Sequence, residues 1–147
     1  MTDDFEPSEQ FADFFFLAID HGFGSIEDGG GPLIPFVMSV SVDGQKHLTR
    51  FVTDELSEGV QRAQEHVVQH RDGMMMYAIA WDGYITLDDR KWDAILVEAG
   101  EAHDPRGVLF AQRYEAGPKK LFRRSKNERV GNPALVDYPP SRIASAV

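Results

Sequence analysis

The chain of 147 residues is 42% hydrophobic and 27% charged, with no cysteine and a net charge of −9. This composition is typical of one soluble domain with a buried core, and it excludes disulfides and thiolate-bound metal centres. The acidic start is unlike the basic start of a signal peptide, and no apolar run is long enough to span a bilayer. We therefore expect a single domain over residues 1–147, located in the cytoplasm and without a cofactor.

The charge is divided between two parts of the chain. From residue 116 onward, seven lysines and arginines stand against two acidic residues, a net +5, which leaves −14 for residues 1–115. An acidic body argues against nucleic-acid binding, because that affinity depends on phosphate contacts. We expect the basic segment, residues 116–147, to pack on this body through Leu121 and Phe122. The cationic side chains beside them are Lys119, Lys120, Arg123 and Arg124.

The first element in chain order is a helix predicted over residues 8–22, with Ser8 as its N-cap and Gly22 at its C-terminal end. Most of its surface is apolar, which indicates burial on more than one side. Phe16 and Leu17 point away from the main apolar stripe, so we expect them to contact a second subunit in a homodimer. The stripe itself consists of Phe11, Phe14, Phe15 and Ala18.

A glycine-rich loop follows this helix, with Gly29, Gly30 and Gly31 at its centre. A phosphate-binding loop would follow a strand and would lack acidic neighbours such as Glu27 and Asp28. The sequence therefore predicts a flexible connection or a lid rather than a nucleotide site.

Residues 33–42 and 45–52 are predicted to form a hairpin about Asp43 and Gly44, with Val40 paired with His47. This register would direct His47 into the core. A second helix is predicted over residues 54–72, and four apolar residues at helical spacing form its buried stripe. They are Leu56, Val60, Ala63 and Val67.

The longest apolar stretch of the chain, residues 74–87, contains Asp82 and Gly83, a strong signal for a two-residue hairpin turn. With that turn, Trp81 would pair with Tyr84, and both would share a face with a third aromatic side chain. Amphipathic aromatic residues are enriched at binding interfaces. The C-terminal segment, a second copy of the chain, or a ligand or partner protein could cover this face. It would consist of Tyr77, Trp81 and Tyr84.

Two further strands are predicted over residues 92–99 and 108–115, followed by an irregular C-terminal segment. The element order is then α-β-β-α-β-β-β-β. It predicts an α+β fold with a mostly antiparallel sheet of five to six strands and both helices on one face. In topology, this order over residues 1–115 resembles the roadblock and longin-type domains and other small adaptor folds.

His66 and His70 are the candidate metal ligands, because their i, i+4 spacing puts two imidazoles on one helix face. Val67 occupies the position at which the zinc-protease motif has its catalytic glutamate. A third ligand would have to come from elsewhere in the chain, and His47 and Asp72 are two candidates. We predict that no metal binds here.

Other titratable residues are better explained by structure than by catalysis. The neighbours Asp20 and His21 suit a helix end, and His103 with Asp104 suits a turn. A further acidic group is predicted to form a solvated rim rather than a cation site. It consists of Asp88, Asp89, Glu98 and Glu101.

These features favour a non-catalytic cytoplasmic domain that binds protein, of the adaptor or immunity type, and acts as a homodimer. The alternative is a small-molecule-binding domain or an enzyme, with a pocket between the aromatic sheet face and the loop of Gly29, Gly30 and Gly31. An enclosed pocket with convergent polar groups would favour the alternative. A flat or covered aromatic face would favour protein binding.

Overall fold

The computed structural model describes residues 7–117, 119–120, 123–124 and 126–144. The predicted α+β class is confirmed, and the order of the elements agrees roughly, because one long strand stands where the sequence predicts a two-stranded hairpin. A one-turn 3₁₀ helix at Arg71–Gly73 follows the second helix. The elements are α1 (Glu9–Gly24), β1 (Phe36–Ser41), β2 (Lys46–Arg50), α2 (Leu56–Gln69), β3 (Met74–Leu87), β4 (Arg90–Glu101), β5 (Val108–Glu115), β6 (Lys119–Lys120), β7 (Arg123–Arg124), β8 (Glu128–Arg129) and β9 (Ala134–Asp137).

Within the described residues, the strands form one seven-stranded antiparallel sheet and a separate pair, β6 with β7. The order across the large sheet is β2-β1-β3-β4-β5-β8, and β9 also pairs with β5. The sheet is larger than predicted, because β8 and β9 come from the segment for which the sequence predicts irregular structure. In the described parts of the chain, neither helix has the length and apolar character needed to cross a membrane.

The two helices cover opposite faces of the sheet, which corrects the prediction that both lie on one face. The apolar cluster around α1 includes Ala78 and Ala80 of β3, whereas the cluster around α2 includes Tyr77 and Ile79. Successive side chains of a strand point to opposite faces, and β3 is apolar at both sets of positions. Both of its faces therefore have to be covered.

The first helix begins where the sequence predicts. The Ser8 hydroxyl oxygen accepts a hydrogen bond of 3.1 Å from the Phe11 amide, which caps the helix. The predicted stripe is buried, and the Phe15 ring stacks on Phe110 of β5 with centroids 4.7 Å apart. Two side chains off this stripe, Phe16 and Leu17, remain 43% and 44% exposed.

The second helix is shorter than predicted at both ends, and its buried face is displaced by part of a turn. Ala63 and Val67 are buried as predicted, but Leu56 is 37% exposed and Gly59 is buried instead. A Cβ atom on Gly59 would lie 2.9 Å from the Phe51 carbonyl oxygen. The absence of a side chain at Gly59 thus allows the helix to approach the chain that follows β2.

The third strand runs without interruption through Asp82 and Gly83, so the predicted tight turn at these residues is wrong. The turn into β4 lies at Asp88 and Asp89, where φ is 53° and 62°. Aspartate tolerates this left-handed conformation better than most residues do. The glycine at position 83 serves packing instead, because a Cβ there would lie 2.9 Å from Leu96 Cδ1.

The hairpin of β1 and β2 is present, but its register differs by one residue from the predicted one. His47 pairs with Ser39 instead of Val40, because the loop between Ser41 and Gln45 holds three residues rather than two. The Ser41 amide closes that loop with a hydrogen bond of 2.8 Å to the Gln45 carbonyl. His47 consequently lies exposed on the α2 side of the sheet, and the prediction that it points into the core is wrong.

The end of the C-terminal segment is hydrogen-bonded to the α2 side of the sheet. The buried Glu98 carboxylate accepts two hydrogen bonds from the Arg142 guanidinium, at 2.6 and 3.1 Å, and one from the Tyr77 hydroxyl at 2.7 Å. The Ser141 hydroxyl donates to the Glu101 carbonyl at 2.8 Å. Glu98 is therefore not part of a solvated rim. The sequence predicts that the basic segment packs through Leu121 and Phe122, which lie outside the described residues. The side chains of the cationic residues beside them also lie outside the described part of the structure. These residues are Lys119, Lys120, Arg123 and Arg124.

Candidate functional site

The three aromatic residues of the predicted interaction surface do not share one face. Because β3 continues past Asp82, Tyr77 and Trp81 lie on the α2 side of the sheet and Tyr84 lies on the α1 side. The Tyr77 side chain is fully buried, and its hydroxyl accepts a hydrogen bond from the Arg142 amide. Trp81 packs half-buried against the α2 cluster, whereas Tyr84 is 62% exposed. The C-terminal segment and α2 thus cover Tyr77, and Tyr84 belongs to another surface.

Tyr84 borders a cavity of about 500 Å³ that lies between the glycine loop and the ends of β3, β4 and β5. Gly29, Gly30 and Gly31 form one wall, and of the three predicted aromatic residues only Tyr84 lines the cavity. Its polar lining converges from the three strands and from the C-terminal segment. These polar residues are Asp82, Tyr84, Asp93, Tyr114 and Asn127.

Strand register brings three of these side chains side by side. Tyr84 of β3 is paired with Asp93 of β4, and Asp93 is paired with Tyr114 of β5. Residues directly opposite each other on neighbouring strands point to the same face of the sheet. The Asp93 carboxylate therefore lies between Tyr84 and Tyr114 across the three strands. Asp82 lies two residues before Tyr84 on β3, so its side chain points to the same face.

The Asp82 carboxylate connects the strands to the loop. Its Oδ1 accepts a hydrogen bond of 2.8 Å from the Tyr114 hydroxyl, and its Oδ2 accepts one of 2.9 Å from the Leu33 amide. Burial raises the pKa of Asp82, and the nearby charge of Asp93 adds to that rise. Burial also raises the pKa of Tyr114, as does the hydrogen bond to Asp82. The phenol of Tyr114 thus stays a hydrogen-bond donor.

The glycine loop is held from the opposite side by Asn127. The buried Asn127 side chain donates to the carbonyl oxygens of Ile26, at 2.6 Å, and Gly30, at 3.4 Å. The backbone N–H of Asn127 donates to the Glu27 carbonyl at 2.9 Å. Together with the bond from Leu33 to the strands, these contacts fix both ends of the loop. These hydrogen bonds connect the wall of the cavity to the strands and to the C-terminal segment.

The electrostatic character of the cavity is negative. Among the described residues that line it there is no lysine, arginine or histidine. Asp93 is half-buried, and its side-chain carboxylate makes no hydrogen bond or ion pair to another described residue. Outside the lining, the Lys91 Nζ atom lies 4.2 Å from the centre of the Tyr84 ring. The Asp93 carboxylate, which has no described partner, suits a cationic ligand group through charge-assisted hydrogen bonds.

Sequence reasoning missed Asp82, Asp93 and Tyr114 as site residues. The two aspartates carried a signal, since each interrupts a strand that is otherwise mostly apolar. A charged residue in such a strand needs a partner or a solvent-filled cavity. The turn interpretation of Asp82 and Gly83 concealed this signal, because it placed Asp82 at a hairpin end.

The predicted metal candidates lie in a second cavity, of about 490 Å³, on the α2 side of the sheet. His47 of β2 lines it together with His66 and His70 of α2. The rings of His66 and His70 are 4.3 Å apart, and His70 Nδ1 lies 2.8 Å from the His66 carbonyl oxygen. Burial lowers the pKa of His66, with a further contribution from His70. In the described part of the chain, no group of three possible ligands is arranged to hold a metal ion.

The remaining candidates do not form a common site. Asp20 pairs with Arg129 at 2.9 Å. The Asp104 carboxylate accepts a hydrogen bond from the Arg106 amide within its loop, and Asp88 lies in the turn between β3 and β4. Comparison of the chain with protein-family models, curated proteins and solved structures gave no match.

Proposed function

We propose that this chain is a non-catalytic cytoplasmic protein-binding domain, of the adaptor or immunity type, whose acidic cavity receives a basic side chain of the partner. The observation that carries the proposal is the Asp93 carboxylate, which has no partner among the described residues and lies between Tyr84 and Tyr114. This half-buried carboxylate is free to accept charge-assisted hydrogen bonds. A guanidinium or ammonium group supplied by another molecule would donate them.

Binding fits this cavity better than catalysis does. Both oxygens of Asp82 accept hydrogen bonds from the chain itself, and the Tyr114 hydroxyl donates one of them. The groups that could transfer protons are thus engaged in holding the loop. No hydrogen bond between described side chains orients the Asp93 carboxylate as a general base. Its role in the proposal is to supply charge.

The convergent polar groups of the cavity also fit the alternative of a small-molecule site, but two observations favour a protein partner. Tyr84 is 62% exposed beside the cavity, and tyrosine is a residue type enriched at protein interfaces. The net −14 of residues 1–115 would also steer a basic partner surface toward the domain. A small cationic ligand of the same chemistry is the second candidate, since about 500 Å³ lies within the usual size of ligand pockets.

The test is an NMR titration with N-acetyl-arginine amide and with its uncharged isostere, N-acetyl-citrulline amide. We expect the arginine compound alone to shift the amide signals of Gly83 and Gly117, which line the cavity. Asp93→Asn should abolish these shifts. Asp88→Asn, which removes a carboxylate in the turn outside the cavity, should leave them unchanged. Equal shifts with citrulline, or unchanged binding in Asp93→Asn, would refute the proposal.

A second comparison separates the two ligand classes. An arginine placed in the middle of a seven-residue peptide should bind more tightly than the single amino-acid compound, because flanking residues would contact the exposed Tyr84. If the single compound binds as tightly as the peptide, the cavity serves a small cationic molecule instead.

We also propose that the chain forms a homodimer through an apolar patch made of Phe16, Leu17 and Leu135. These side chains are 43%, 44% and 38% exposed. The Phe16 ring lies 5.8 Å from the ring of Phe110, and Leu135 is the strand partner of Phe110. Exposed side chains from α1 and β9 therefore flank one buried ring. A two-fold contact would cover this patch on both subunits at once.

A further inference from the structure

The second strand is a terminal strand of the large sheet and, within the described residues, pairs only with β1. A terminal strand presents unpaired N–H and C=O groups to any extended chain of suitable sequence. The exposure of its residues matches this position, since Lys46, His47, Leu48 and Arg50 are all exposed. The edge of the sheet is therefore open at β2.

The hydrogen bonds of the hairpin show which backbone groups point outward. The Ser41 amide donates to Gln45, and the Phe51 amide donates to Pro35, so these positions of the chain face β1. Hydrogen-bonded and non-hydrogen-bonded pairs alternate along an antiparallel ladder. His47 and Thr49 consequently share the bonding direction of Gln45 and Phe51. The residues that alternate with these four are Lys46, Leu48 and Arg50, and they direct their N–H and C=O groups away from β1.

The same three residues also share one side of the sheet. Lys46, Leu48 and Arg50 are paired with Val40, Met38 and Phe36, which belong to the apolar cluster on the α1 side. The edge therefore presents a cationic, an apolar and a cationic side chain in a row. The side chains in between, His47 and Thr49, point to the α2 side and line the cavity that contains His66 and His70.

Charge argues against a second copy of the chain at this edge. In a two-fold antiparallel pair centred on Leu48, Lys46 of each subunit would lie opposite Arg50 of the other. Like charges directly opposite each other destabilise a strand pair. An extended segment with acidic residues at those two places would form two opposite-charge pairs instead.

We propose that β2 binds an extended acidic segment of a protein partner as an added strand. The segment would carry an acidic residue, an apolar residue and a second acidic residue at alternate positions, opposite Lys46, Leu48 and Arg50. The intervening side chains would enter the histidine-lined cavity. This interaction surface is separate from the acidic cavity, which lies against β3, β4 and β5.

The experiment uses the full chain and a fluorescent peptide, Thr-Glu-Thr-Val-Thr-Glu-Thr, measured by fluorescence anisotropy at low salt. We expect this peptide to bind, and its counterpart with lysine in place of both glutamates to bind about tenfold more weakly or not at all. Methylation of the valine amide nitrogen should abolish binding, because that group would face Leu48. Methylation of the threonine that follows the valine is the matched control and should be tolerated, since its amide would point away from β2.

Two protein variants complete the test. The double variant Lys46→Glu/Arg50→Glu should reverse the preference, binding the lysine peptide more tightly than the glutamate peptide. Leu48→Pro removes an outward N–H without breaking a bond to β1, and proline is tolerated at such edge positions; it should weaken binding about tenfold.

Circular dichroism should show both variants folded, and the reversed preference of the double variant keeps the test valid even if Leu48→Pro unfolds. Absence of binding, or equal binding of the two methylated peptides, would overturn the proposal. The charges of β2 would then serve only to prevent edge-to-edge association.

Discussion

Each oxygen of the Asp82 carboxylate accepts one hydrogen bond from a distant part of the chain, from Tyr114 and from Leu33. Both donor residues are almost fully buried, with exposed fractions of 9% and 3%. Asp82→Ala would leave both donors without an acceptor, and a buried unsatisfied group costs about 1–3 kcal/mol. Removal of a buried charge offsets part of that loss. We therefore expect the free energy of unfolding, measured in urea, to fall by about 2–4 kcal/mol.

The matched control is Asp93→Ala, because Asp93 lies on the same face but has no described partner. Its removal should change the free energy of unfolding by less than about 0.5 kcal/mol, as at most surface positions. Similar losses in the two variants would mean that the hydrogen bonds of Asp82 do not hold the loop.

His66 should make stability depend on pH. Burial, with a contribution from His70, lowers the pKa of His66 in the folded state below its ordinary value of 6.5. The unfolded chain then binds a proton more readily than the folded chain does, so stability is full above about pH 6.5 and falls as pH decreases through the folded-state pKa. His66→Gln should flatten this decrease between about pH 7 and pH 5. An unchanged slope in urea unfolding across that range would contradict the assignment.

At the scale of elements, the strongest local signals were reliable when packing agreed with them. Ser8 caps α1, and β5 spans the residues predicted for it. The turn predicted at Asp82 and Gly83 is absent because a turn motif describes only local backbone preference. Asp82 instead accepts hydrogen bonds from Tyr114 and Leu33, which are 32 and 49 positions away in the sequence. The turn moved to Asp88 and Asp89, two residues that also tolerate positive φ.

The candidate site also depends on tertiary contacts that local sequence patterns do not reveal. From the sequence, a pocket between the aromatic sheet face and Gly29, Gly30 and Gly31 is only the alternative hypothesis. The sequence does not predict that Asp93 lies between Tyr84 and Tyr114, since that neighbourhood depends on the register of three strands. A register shift of one residue reverses the direction of every side chain. The shift between β1 and β2 moved His47 in this way.

The contact of the C-terminal segment with β4 depends on one buried carboxylate. Glu98, 5% exposed, accepts hydrogen bonds from Tyr77 and from both ends of the Arg142 fork. Glu98→Gln keeps the shape but removes the charge, and a hydrogen bond to a charged group contributes about 1.5–3 kcal/mol. We expect a loss of about 2–3 kcal/mol in unfolding free energy. Hydrogen exchange at Ser141 and Arg142 should accelerate.

The control for this prediction is Glu101→Gln, because the C-terminal segment bonds to the backbone carbonyl of Glu101 and not to its carboxylate. Exchange at Ser141 should stay slow in that variant. If Glu98→Gln leaves exchange at Ser141 unchanged, the hydrogen bonds that Ser141 donates to the Glu101 and Pro105 carbonyls are sufficient to hold the segment.

At the scale of the whole molecule, opposite charges occupy different surfaces of the sheet. The acidic cavity lies at the ends of β3, β4 and β5, while the cationic row of Lys46 and Arg50 lies on the edge strand β2. The two proposed interactions therefore have opposite dependence on ligand charge. Increasing salt should weaken both, because exposed charges are screened beyond about 10 Å at 0.1 M. Dimer formation through the apolar patch on α1 and β9 should persist at high salt, because burial of apolar area is not screened by salt.

Self-association through that patch is the last prediction. Burying an exposed Phe or Leu side chain contributes roughly 1.5–3 kcal/mol, so a two-fold contact that buries Phe16, Leu17 and Leu135 on both subunits has a substantial driving force. Sedimentation at micromolar concentration should give twice the chain mass of 16.5 kDa, and the mass should not decrease in high salt. Phe16→Ser/Leu17→Ser should give the single-chain mass without unfolding the domain, because both side chains are about half exposed already. Val68→Ser is the matched control, since Val68 is 44% exposed like Leu17 but lies on α2, across the sheet from the patch. Loss of the dimer in Val68→Ser, or a single-chain mass for the unaltered protein, would contradict the assignment of this patch.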